Sequence, residues 1–367
     1  MATNNVRQIH SFGQSIWLDF IDRKIMNSGE LQQLIDVDGV RGITSNPAIF
    51  EKAISSSSDY DADISELART AFSNEELFYA LAVKDIQRAT DFFRPVFDEN
   101  PQGSDGYVSL EVSPFLARNT DGTVAQALRL WEAVDRENVM IKIPGTAEGL
   151  SAIEQSIANG LNINVTLLFG LERYEAVANA YITGLEQRDN AGFAIGHVAS
   201  VASFFLSRID QRIDPMLIEK GLNDLKGEVA IASAKKAYEI YERLFSSDRF
   251  QKLAAKGARP QRLLWASTGS KDPAFSDVKY LESLIGPNTV NTVPMDTLIA
   301  FRDHGVAADT LKNNLNGATG TLQRLADAGI DLAALTQQLE NEGIEKFNAP
   351  YQKLLNAIET QRTKSLV

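Results

Sequence analysis

The segment Val139-Met140-Ile141-Lys142-Ile143 has the alternating pattern of a β-strand whose two faces lie in different surroundings. Because successive side chains of a strand point to opposite faces, Val139, Ile141 and Ile143 share one wholly apolar face. We expect that face to pack against helices, as the outer face of a barrel strand does. Lys142 then points into the barrel, where a lysine is costly unless it is paired or neutral.

Strand-like segments alternate with helical patterns along most of the chain. The predicted strands are Ser15–Ile21, Val40–Ser45, Tyr107–Ser113, Val139–Ile143, Ile163–Phe169, Ala194–Val201, Arg262–Ser267 and Thr289–Val293. This is the number of parallel strands that a closed (α/β)8 barrel needs. The sequence therefore predicts an α/β fold built on a single TIM-type barrel.

Helical patterns also extend the predicted barrel at two places. One follows the sixth strand, at about residues 209–260, and includes the predicted helices Glu228–Phe245 and Ser246–Lys256. The other covers about residues 308–362, where glycines are expected to separate three helices. These helices are Asp309–Ala328, Asp331–Glu342 and Glu345–Thr360, with Gly329 and Gly343 between them. Since no low-complexity linker divides the chain, we expect residues 1–367 to form one barrel domain.

Two sequence patterns mark the starts of helices between the strands. Ser73 with Glu76, and Thr123 with Gln126, have the spacing of a capping box. In that motif the two side chains satisfy backbone N–H groups of the first helical turn. We therefore expect one helix to begin after Ser73 and another after Thr123.

The composition argues against several classes of protein and site. The chain has 367 residues, 36 Lys+Arg and 48 Asp+Glu, and its net charge of −12 argues against a broad nucleic-acid-binding surface. Because cysteine is absent and only three dispersed histidines occur, we expect neither disulfides nor a metal site. No segment approaches the ~18 apolar residues of a membrane helix. Residues 1–7 lack the apolar run of a secretion signal, so we expect a cytoplasmic enzyme.

Three other predicted strands also place polar side chains on the face that points into the barrel. Glu111 lies on the face of its strand opposite the apolar face. Asp19 has the same position in the first strand, as do Asn164 and Thr166 in the fifth. These residues stand near the C-terminal ends of their strands, like Lys142. Catalytic groups of such barrels lie at that end, which favours a functional interpretation of the polar residues.

The inward residues suggest amine chemistry. A lysine has an ordinary pKa of ~10.4, which burial and cationic neighbours lower, and the neutral amine can form a Schiff base with a carbonyl compound. Two carboxylates beside the imine could donate and accept protons. The alternative is a buried ion pair of Lys142 with Glu111 or Asp19 that only fills the barrel.

Two motifs in the sequence resemble the signatures of the transaldolase family. The first is Gly42-Ile43-Thr44-Ser45-Asn46-Pro47-Ala48-Ile49-Phe50, and the second is Val139-Met140-Ile141-Lys142-Ile143-Pro144-Gly145-Thr146-Ala147-Glu148-Gly149-Leu150. Further matching blocks are Ser109–Val112, Asn162–Phe169, Ala202–Asp210 and Trp265–Gly269. The resemblance extends from about residue 10 to residue 300 or beyond and fits the longer bacterial branch of the family.

The resemblance implies an (α/β)8 barrel that transfers a dihydroxyacetone unit from sedoheptulose 7-phosphate to glyceraldehyde 3-phosphate. The products would be erythrose 4-phosphate and fructose 6-phosphate, as in the pentose phosphate pathway. Sugar phosphates would be the partners, and no metal or organic cofactor would be needed.

The family's catalytic positions fall on four residues of this chain. Lys142 matches the lysine that forms the Schiff base, and Asp19 matches the acid/base that takes the C4-hydroxyl proton during cleavage. Glu111 matches a carboxylate that acts through a water molecule, and Thr166 matches the hydroxyl that positions that water.

The substrate-binding positions can be assigned in the same way. Asn46 and Asn164 match the amides that hold the dihydroxyacetone hydroxyls, and Ser203 stands beside them. Thr44, in the first signature, and Phe205 belong to the same implied site. Arg208 and Ser267 match the family's phosphate ligands.

Lys271 marks a departure from the family pattern. In other branches a second phosphate-binding arginine follows shortly after the position of Ser267, whereas this chain has Lys271 in that stretch. A lysine would supply a point charge rather than a bidentate fork, or it could be a solvated loop residue beside Asp272.

Two rival functions remain open from the sequence. A related aldolase would release free dihydroxyacetone; that type tends to carry tyrosine where this chain has Phe205, which favours transfer. A noncatalytic barrel could bind sugar phosphates through Arg208 and Ser267 alone. Binding by itself does not require the set of Asp19, Glu111, Lys142 and Thr166.

Overall fold

A computed structural model of the protein describes residues 4–100 and 103–365. The strands within these ranges are β1 (Gln14–Leu18), β2 (Gly42–Ile43), β3 (Tyr107–Glu111), β4 (Val139–Pro144), β5 (Ile163–Leu168), β6 (Ser200–Phe205), β7 (Arg262–Ala266) and β8 (Thr289–Val293). They form a closed barrel in chain order, in which β8 pairs with β1 and every pairing is parallel. The predicted TIM-type α/β fold is thereby confirmed.

Helices surround the barrel and fill the connections between its strands. They are α1 (Asn5–Gln8), α2 (Arg23–Asn27), α3 (Glu30–Gln33), α4 (Pro47–Ser56), α5 (Asp61–Leu67), α6 (Asn74–Asp98), α7 (Thr120–Val134), α8 (Ala147–Ala158), α9 (Leu171–Asn190), α10 (Ser207–Glu219), α11 (Val229–Phe245), α12 (Asp248–Ala254), α13 (Lys279–Glu282), α14 (Met295–His304), α15 (Leu315–Asp327) and α16 (Leu332–Ser365). In the described ranges, none of these helices has the length and apolar character needed to cross a membrane.

The strands lie where the sequence predicts them, with one exception. The predicted sixth strand, Ala194–Val201, is wrong for most of its length, since β6 pairs with its neighbours only from Ser200 onward. Gly196 and His197 form a turn instead, and the Arg188 guanidinium donates to the Ala194 carbonyl at 2.7 Å. These contacts hold residues 194–199 as a loop at the N-terminal end of the barrel, opposite the mouth.

The structure confirms one of the two predicted helix starts and contradicts the other. The capping box of Ser73 and Glu76 is present at the start of α6. The one predicted at Thr123 is wrong, because Asn119 caps α7 and Thr123 lies inside that helix. The Thr123 hydroxyl donates to the Leu116 carbonyl, and Gln126 accepts the backbone N–H of Ser113. Both side chains therefore tie α7 to the loop after β3.

The predicted break at Gly343 is also wrong, because α16 continues through that residue to Ser365. A Cβ at position 343 would lie 3.0 Å from Cδ2 of Leu167 and 3.6 Å from the Phe169 ring. The glycine thus lets α16 approach the end of β5 closely rather than ending the helix. This approach brings the C-terminal helix beside the barrel mouth.

Trp17 fills the barrel interior beneath the mouth. Its side chain is fully buried, and Gly42 on β2 makes room for it. A Cβ on residue 42 would lie 2.8 Å from the indole and 2.7 Å from the Tyr107 carbonyl oxygen. Only a glycine fits between these groups without a shift of the backbone.

A buried ion pair closes the opposite end of the barrel. Asp105, which precedes β3, lies 3.1 Å from Nη2 of Arg262 at the start of β7. Its carboxylate also accepts hydrogen bonds from Ser15 Oγ at 2.8 Å and from the Trp17 indole N–H at 3.2 Å. One carboxylate thus satisfies three donors that converge on the barrel floor.

We expect Asp105→Ala to lower the free energy of unfolding by about 3–5 kcal/mol, because it leaves a buried arginine without its counter-charge. Chemical denaturation of the wild-type and variant proteins measures this difference. Asp91→Ala is the matched control, because Asp91 pairs with Arg136 at 2.7 Å on the exposed surface and should matter little. Equal effects of the two changes would contradict a special role for the buried pair.

Candidate active site

A cavity of about 260 Å³ opens at the C-terminal ends of the barrel strands. All the predicted site residues except Glu111 and Asn164 line it. Those lining residues are Asp19, Thr44, Asn46, Lys142, Thr166, Ser203, Phe205, Arg208, Ser267 and Lys271. Glu111 and Asn164 lie directly behind the wall, where they contact Lys142 and Ser203 respectively.

Lys142 projects from β4 into the base of this cavity and is 5% exposed. Its Nζ donates to the Ser45 carbonyl oxygen at 2.7 Å and lies 3.3 Å from Oε2 of Glu111. The register of the barrel explains the second contact, because Glu111 on β3 is the direct neighbour of Lys142. One hydrogen bond and one ion pair thus hold the amine at one point of the cavity.

The two carboxylates beside Lys142 are both harder to ionise than ordinary carboxylates. Burial raises the pKa of Glu111, and the positive charge of Lys142 opposes that rise. Burial also raises the pKa of Asp19, opposed by Lys142, by a hydrogen bond from Thr44, and by Lys271 and Arg208. Raised pKa values bring carboxyl groups closer to neutral pH, where they can exchange protons with a substrate.

Asp19 is held in place from one side. It follows the last residue of β1, and its Oδ1 accepts a hydrogen bond from the Thr44 hydroxyl at 2.6 Å. Thr44 Oγ1 also lies 2.7 Å from the Thr292 hydroxyl on β8. Asp19 also lines the cavity, so this hydrogen bond orients a carboxylate that a ligand can reach.

A chain of hydrogen bonds crosses three strands next to Lys142. Asn164 Nδ2 donates to Ser109 Oγ at 3.0 Å, and Asn164 Oδ1 accepts from Ser203 Oγ at 2.7 Å. Thr166, two residues along β5, has a buried hydroxyl that no group among residues 4–100 and 103–365 engages. That hydroxyl is therefore the polar group of β5 that remains open to a ligand or a water molecule.

Asn46 has a local structural role as well as a position in the cavity wall. Its side-chain Oδ1 accepts the backbone N–H of Ile49 at 3.1 Å and so caps α4. An amide has donors as well as an acceptor, and the Nδ2 group of Asn46 is not used by this cap. The cap therefore fixes the side chain while its donor can serve a substrate hydroxyl.

The opposite side of the cavity carries a different chemistry, dominated by Arg208. This residue lies in the first turn of α10, directly after β6, and its Nη1 is buried without a hydrogen-bond partner in the described part of the chain. Burial lowers the pKa of Arg208, and the nearby Asp19 opposes the shift. A charged guanidinium group whose N–H donors have no partner among the described residues is suited to bind an anionic ligand.

Helix α10 is anchored by two aspartates that point away from the cavity. Asp210 accepts the backbone N–H of Ala230 at 2.8 Å and the Tyr280 hydroxyl at 2.8 Å. Asp214 accepts the backbone N–H of Gly227 at 2.9 Å. Burial raises the pKa of Asp210 to about 7. The helices that follow β6 thus fix the element that carries Arg208.

Ser267 and Lys271 follow β7 on the same side of the cavity as Arg208. Ser267 has a φ of 55°, an unusual conformation for a residue other than glycine, and its hydroxyl lies 2.9 Å from that of Ser207. Lys271 is exposed, and the neighbouring Asp272 pairs with Lys226 at 2.6 Å rather than with Lys271. The ammonium group of Lys271 is therefore not neutralised by its sequence neighbour.

Several groups at the cavity were missed by the sequence analysis. Lys346 and Phe347 come from α16, in the region that the sequence predicts only as a helical addition to the barrel. Gln211, Thr292 and the Ser45 carbonyl were missed as well. A carbonyl gives no side-chain signal, and no pattern around residue 346 shows that this helix reaches the barrel mouth.

The arrangement can support covalent amine chemistry on a small anionic carbonyl compound. It combines a buried lysine, two carboxylates with raised pKa values and, across the cavity, arginine and lysine charges. In the described ranges, no group of three or more histidine, aspartate and glutamate side chains is arranged to hold a metal ion. The chemistry that these residues offer is nucleophilic attack with proton transfer.

Comparisons with known proteins agree in pointing to one family. The profile described as "Transaldolase/Fructose-6-phosphate aldolase" matches residues 16–358. The chain is 48% identical to a transaldolase of Trichodesmium erythraeum over 99% of both chains. It is 47% identical to "Transaldolase 2" of Nostoc punctiforme over 98% of both chains. Identity to a transaldolase of Saccharopolyspora erythraea is 48%, over 98% of this chain and 99% of the relative.

Proposed function

The chain belongs to the transaldolase/fructose-6-phosphate aldolase family, and we propose that it catalyses transfer between two sugar phosphates. The donor is sedoheptulose 7-phosphate and the acceptor is glyceraldehyde 3-phosphate, with erythrose 4-phosphate and fructose 6-phosphate as products. The observation that carries this proposal is the position of Lys142, buried at the barrel mouth beside Glu111 and in one cavity with Asp19 and Arg208.

The reaction begins with attack of the Lys142 amine on the ketone carbon of the donor. Loss of water from that adduct gives a protonated imine at C2, which draws electrons from the bond between C3 and C4. Glu111 lies 3.3 Å from the amine and supplies the proton that the departing hydroxyl needs, through a water positioned by Thr166. The hydrogen bond to the Ser45 carbonyl orients the amine before attack.

Asp19 moves the proton in the carbon–carbon cleavage step. Its carboxylate takes the proton from the C4 hydroxyl, the bond between C3 and C4 breaks, and the four-carbon aldehyde phosphate leaves. The three-carbon unit remains on Lys142 as an enamine. That enamine attacks the aldehyde carbon of the acceptor, Asp19 returns the proton to the new hydroxyl, and hydrolysis of the imine releases fructose 6-phosphate.

Polar side chains on both sides of the cavity hold the substrate during these steps. Asn46 and Ser203, with Asn164 directly behind Ser203, bind the hydroxyls of the dihydroxyacetone unit. This binding keeps the enamine in place between donor release and acceptor binding. Arg208, Ser267 and Lys271 bind the phosphate at the far end of the sugar. Phe205 presents a ring without a hydroxyl toward the enamine, and so offers no proton there for early release of the three-carbon unit.

We also propose that residues 1–367 act as one barrel domain in the cytoplasm, where free sugar phosphates are handled. The net charge of −12 disfavours a nucleic-acid partner. Lysine and carboxyl groups carry every step, so the proposed mechanism calls on no metal or organic cofactor.

Product analysis tests the proposal against its two rivals. The enzyme is incubated with sedoheptulose 7-phosphate, with and without glyceraldehyde 3-phosphate, and the products are separated by mass. Transfer predicts fructose 6-phosphate that depends on the acceptor. Free dihydroxyacetone formed equally well without acceptor would indicate the lyase, and no conversion of any sugar phosphate would indicate a binding protein.

The phosphate end of the site can be tested separately. We expect Arg208→Ala to weaken use of phosphorylated ketoses by roughly 10- to 100-fold, since a charge-assisted hydrogen-bonded contact contributes ~1.5–3 kcal/mol. The catalytic efficiency is measured with fructose 6-phosphate and with fructose, which has no phosphate to lose. Arg212→Ala is the control, because Arg212 lies on the same helix but is exposed. Equal losses on both ketoses would remove Arg208 from the phosphate site.

A further inference from the structure

The C-terminal helix α16 contributes an aromatic side chain to the cavity wall at Phe347. The ring is 7% exposed and lies 6.0 Å from Cζ of Arg208, measured from its centroid. Phe205, at the end of β6, lies 5.4 Å from the same carbon atom. Two rings from distant parts of the sequence therefore contact one guanidinium group.

The aromatic contacts matter because Arg208 has few others. Within residues 4–100 and 103–365, no hydrogen bond or ion pair engages its guanidinium, and its Nη1 is buried. A free arginine side chain loses considerable rotamer entropy when a ligand fixes it. Attraction between the cation and a ring face holds a guanidinium in place without occupying its N–H donors.

The path of α16 explains how Phe347 reaches Arg208. Gly343, one helical turn earlier, allows the helix to pack against Leu167 and Phe169 at the end of β5. The Phe169 ring in turn lies 5.3 Å from the Phe205 ring. The glycine contact and the aromatic contact thus place the same stretch of α16 against the phosphate side of the cavity.

We infer that Phe347 is a positioning residue, which holds the Arg208 guanidinium with its N–H donors directed toward the substrate phosphate. The inference rests on the proposed phosphate-binding role of Arg208. It adds that the C-terminal helix, and not only the barrel loops, determines the preference for phosphorylated sugars. The effect of Phe347 passes entirely through Arg208, so a substrate without a phosphate does not gain from it.

The first test replaces the ring while keeping an apolar side chain. Phe347→Leu should lower catalytic efficiency with fructose 6-phosphate by roughly 3- to 30-fold, mainly through KM, and leave fructose unchanged. Phe347→Tyr keeps the ring and should stay close to wild type. Phe115→Leu is the control, since Phe115 packs against Tyr351 of the same helix at 5.2 Å but is exposed and outside the cavity wall.

The second test asks whether Phe347 acts through Arg208. In an Arg208→Ala background, the further change Phe347→Leu should have no additional effect on either ketose. Additive losses, equal losses on both ketoses, or a Phe347→Tyr variant as impaired as Phe347→Leu would overturn the inference. An Arg208→Ala enzyme that still prefers phosphorylated ketoses as strongly as wild type would instead contradict the proposed phosphate site, independently of any change at Phe347.

Discussion

Replacing Lys142 with methionine is expected to reduce turnover by about 10⁴-fold or more, the scale on which loss of a covalent nucleophile acts in other enzymes. Methionine matches the length of the lysine stem but cannot attack a carbonyl group. The raised pKa of Glu111 allows that carboxyl to take up a proton when its counter-charge is removed, so the barrel should still fold. Steady-state assays of the transfer reaction, with a thermal melt of the same sample, measure both effects.

Lys235→Met provides the matched control for this prediction. Lys235 is another buried lysine, 8% exposed, but it donates to the carbonyl oxygens of Thr310 and Asn313, outside the cavity. We expect this variant to lose stability and keep its turnover number. Substantial turnover in Lys142→Met, or an equal loss in both variants, would contradict a covalent role for Lys142.

Asp19→Asn is expected to lower turnover by about 10²–10⁴-fold, the contribution typical of a positioned general acid or base. Substrate binding should change far less, because asparagine retains the size and one oxygen of aspartate. The KM values and turnover numbers of the transfer reaction separate these effects. Asp91→Asn on the exposed face of α6 should leave both unchanged, and wild-type turnover in Asp19→Asn would leave that residue with a structural role only.

The pH dependence of turnover provides a second test of Asp19. The carboxyl must be ionised to accept the C4-hydroxyl proton, so turnover should fall as the pH falls through its raised pKa. The Thr44 hydroxyl donates to the charged form and lowers that pKa. Thr44→Val should therefore move the acidic limb of the profile to higher pH. If the acidic limb does not move in Thr44→Val, the group that titrates there is not Asp19.

Much of the fold and the centre of the site could be predicted because both depend on strand alternation. Asp19, Glu111 and Lys142 each occupy the inward phase of an otherwise apolar strand, and one closed barrel brings such residues together. In β3 and β4 the register makes Glu111 and Lys142 direct neighbours. Local sequence is enough here, because a strand can present a charge inward only where the barrel can pair or use it.

Other features depend on contacts between distant segments and could not be read from the sequence. Gly343 looks like a helix break, yet α16 continues through it, and the absence of a side chain there leaves room for Leu167 and Phe169. Thr123 and Gln126 have the spacing of a cap, yet tertiary hydrogen bonds use both side chains elsewhere. In each case packing between elements outweighs a local preference of modest free energy.

Borohydride trapping is the measurement that tests the proposed chemistry most directly. The enzyme is incubated with fructose 6-phosphate, reduced with borohydride, digested and analysed by mass spectrometry. We expect a reduced three-carbon or ketose adduct on the peptide that contains Lys142, and none on the peptide that contains Lys235. An adduct on another lysine, or no adduct in an enzyme that is turning over, would contradict the Schiff-base role of Lys142.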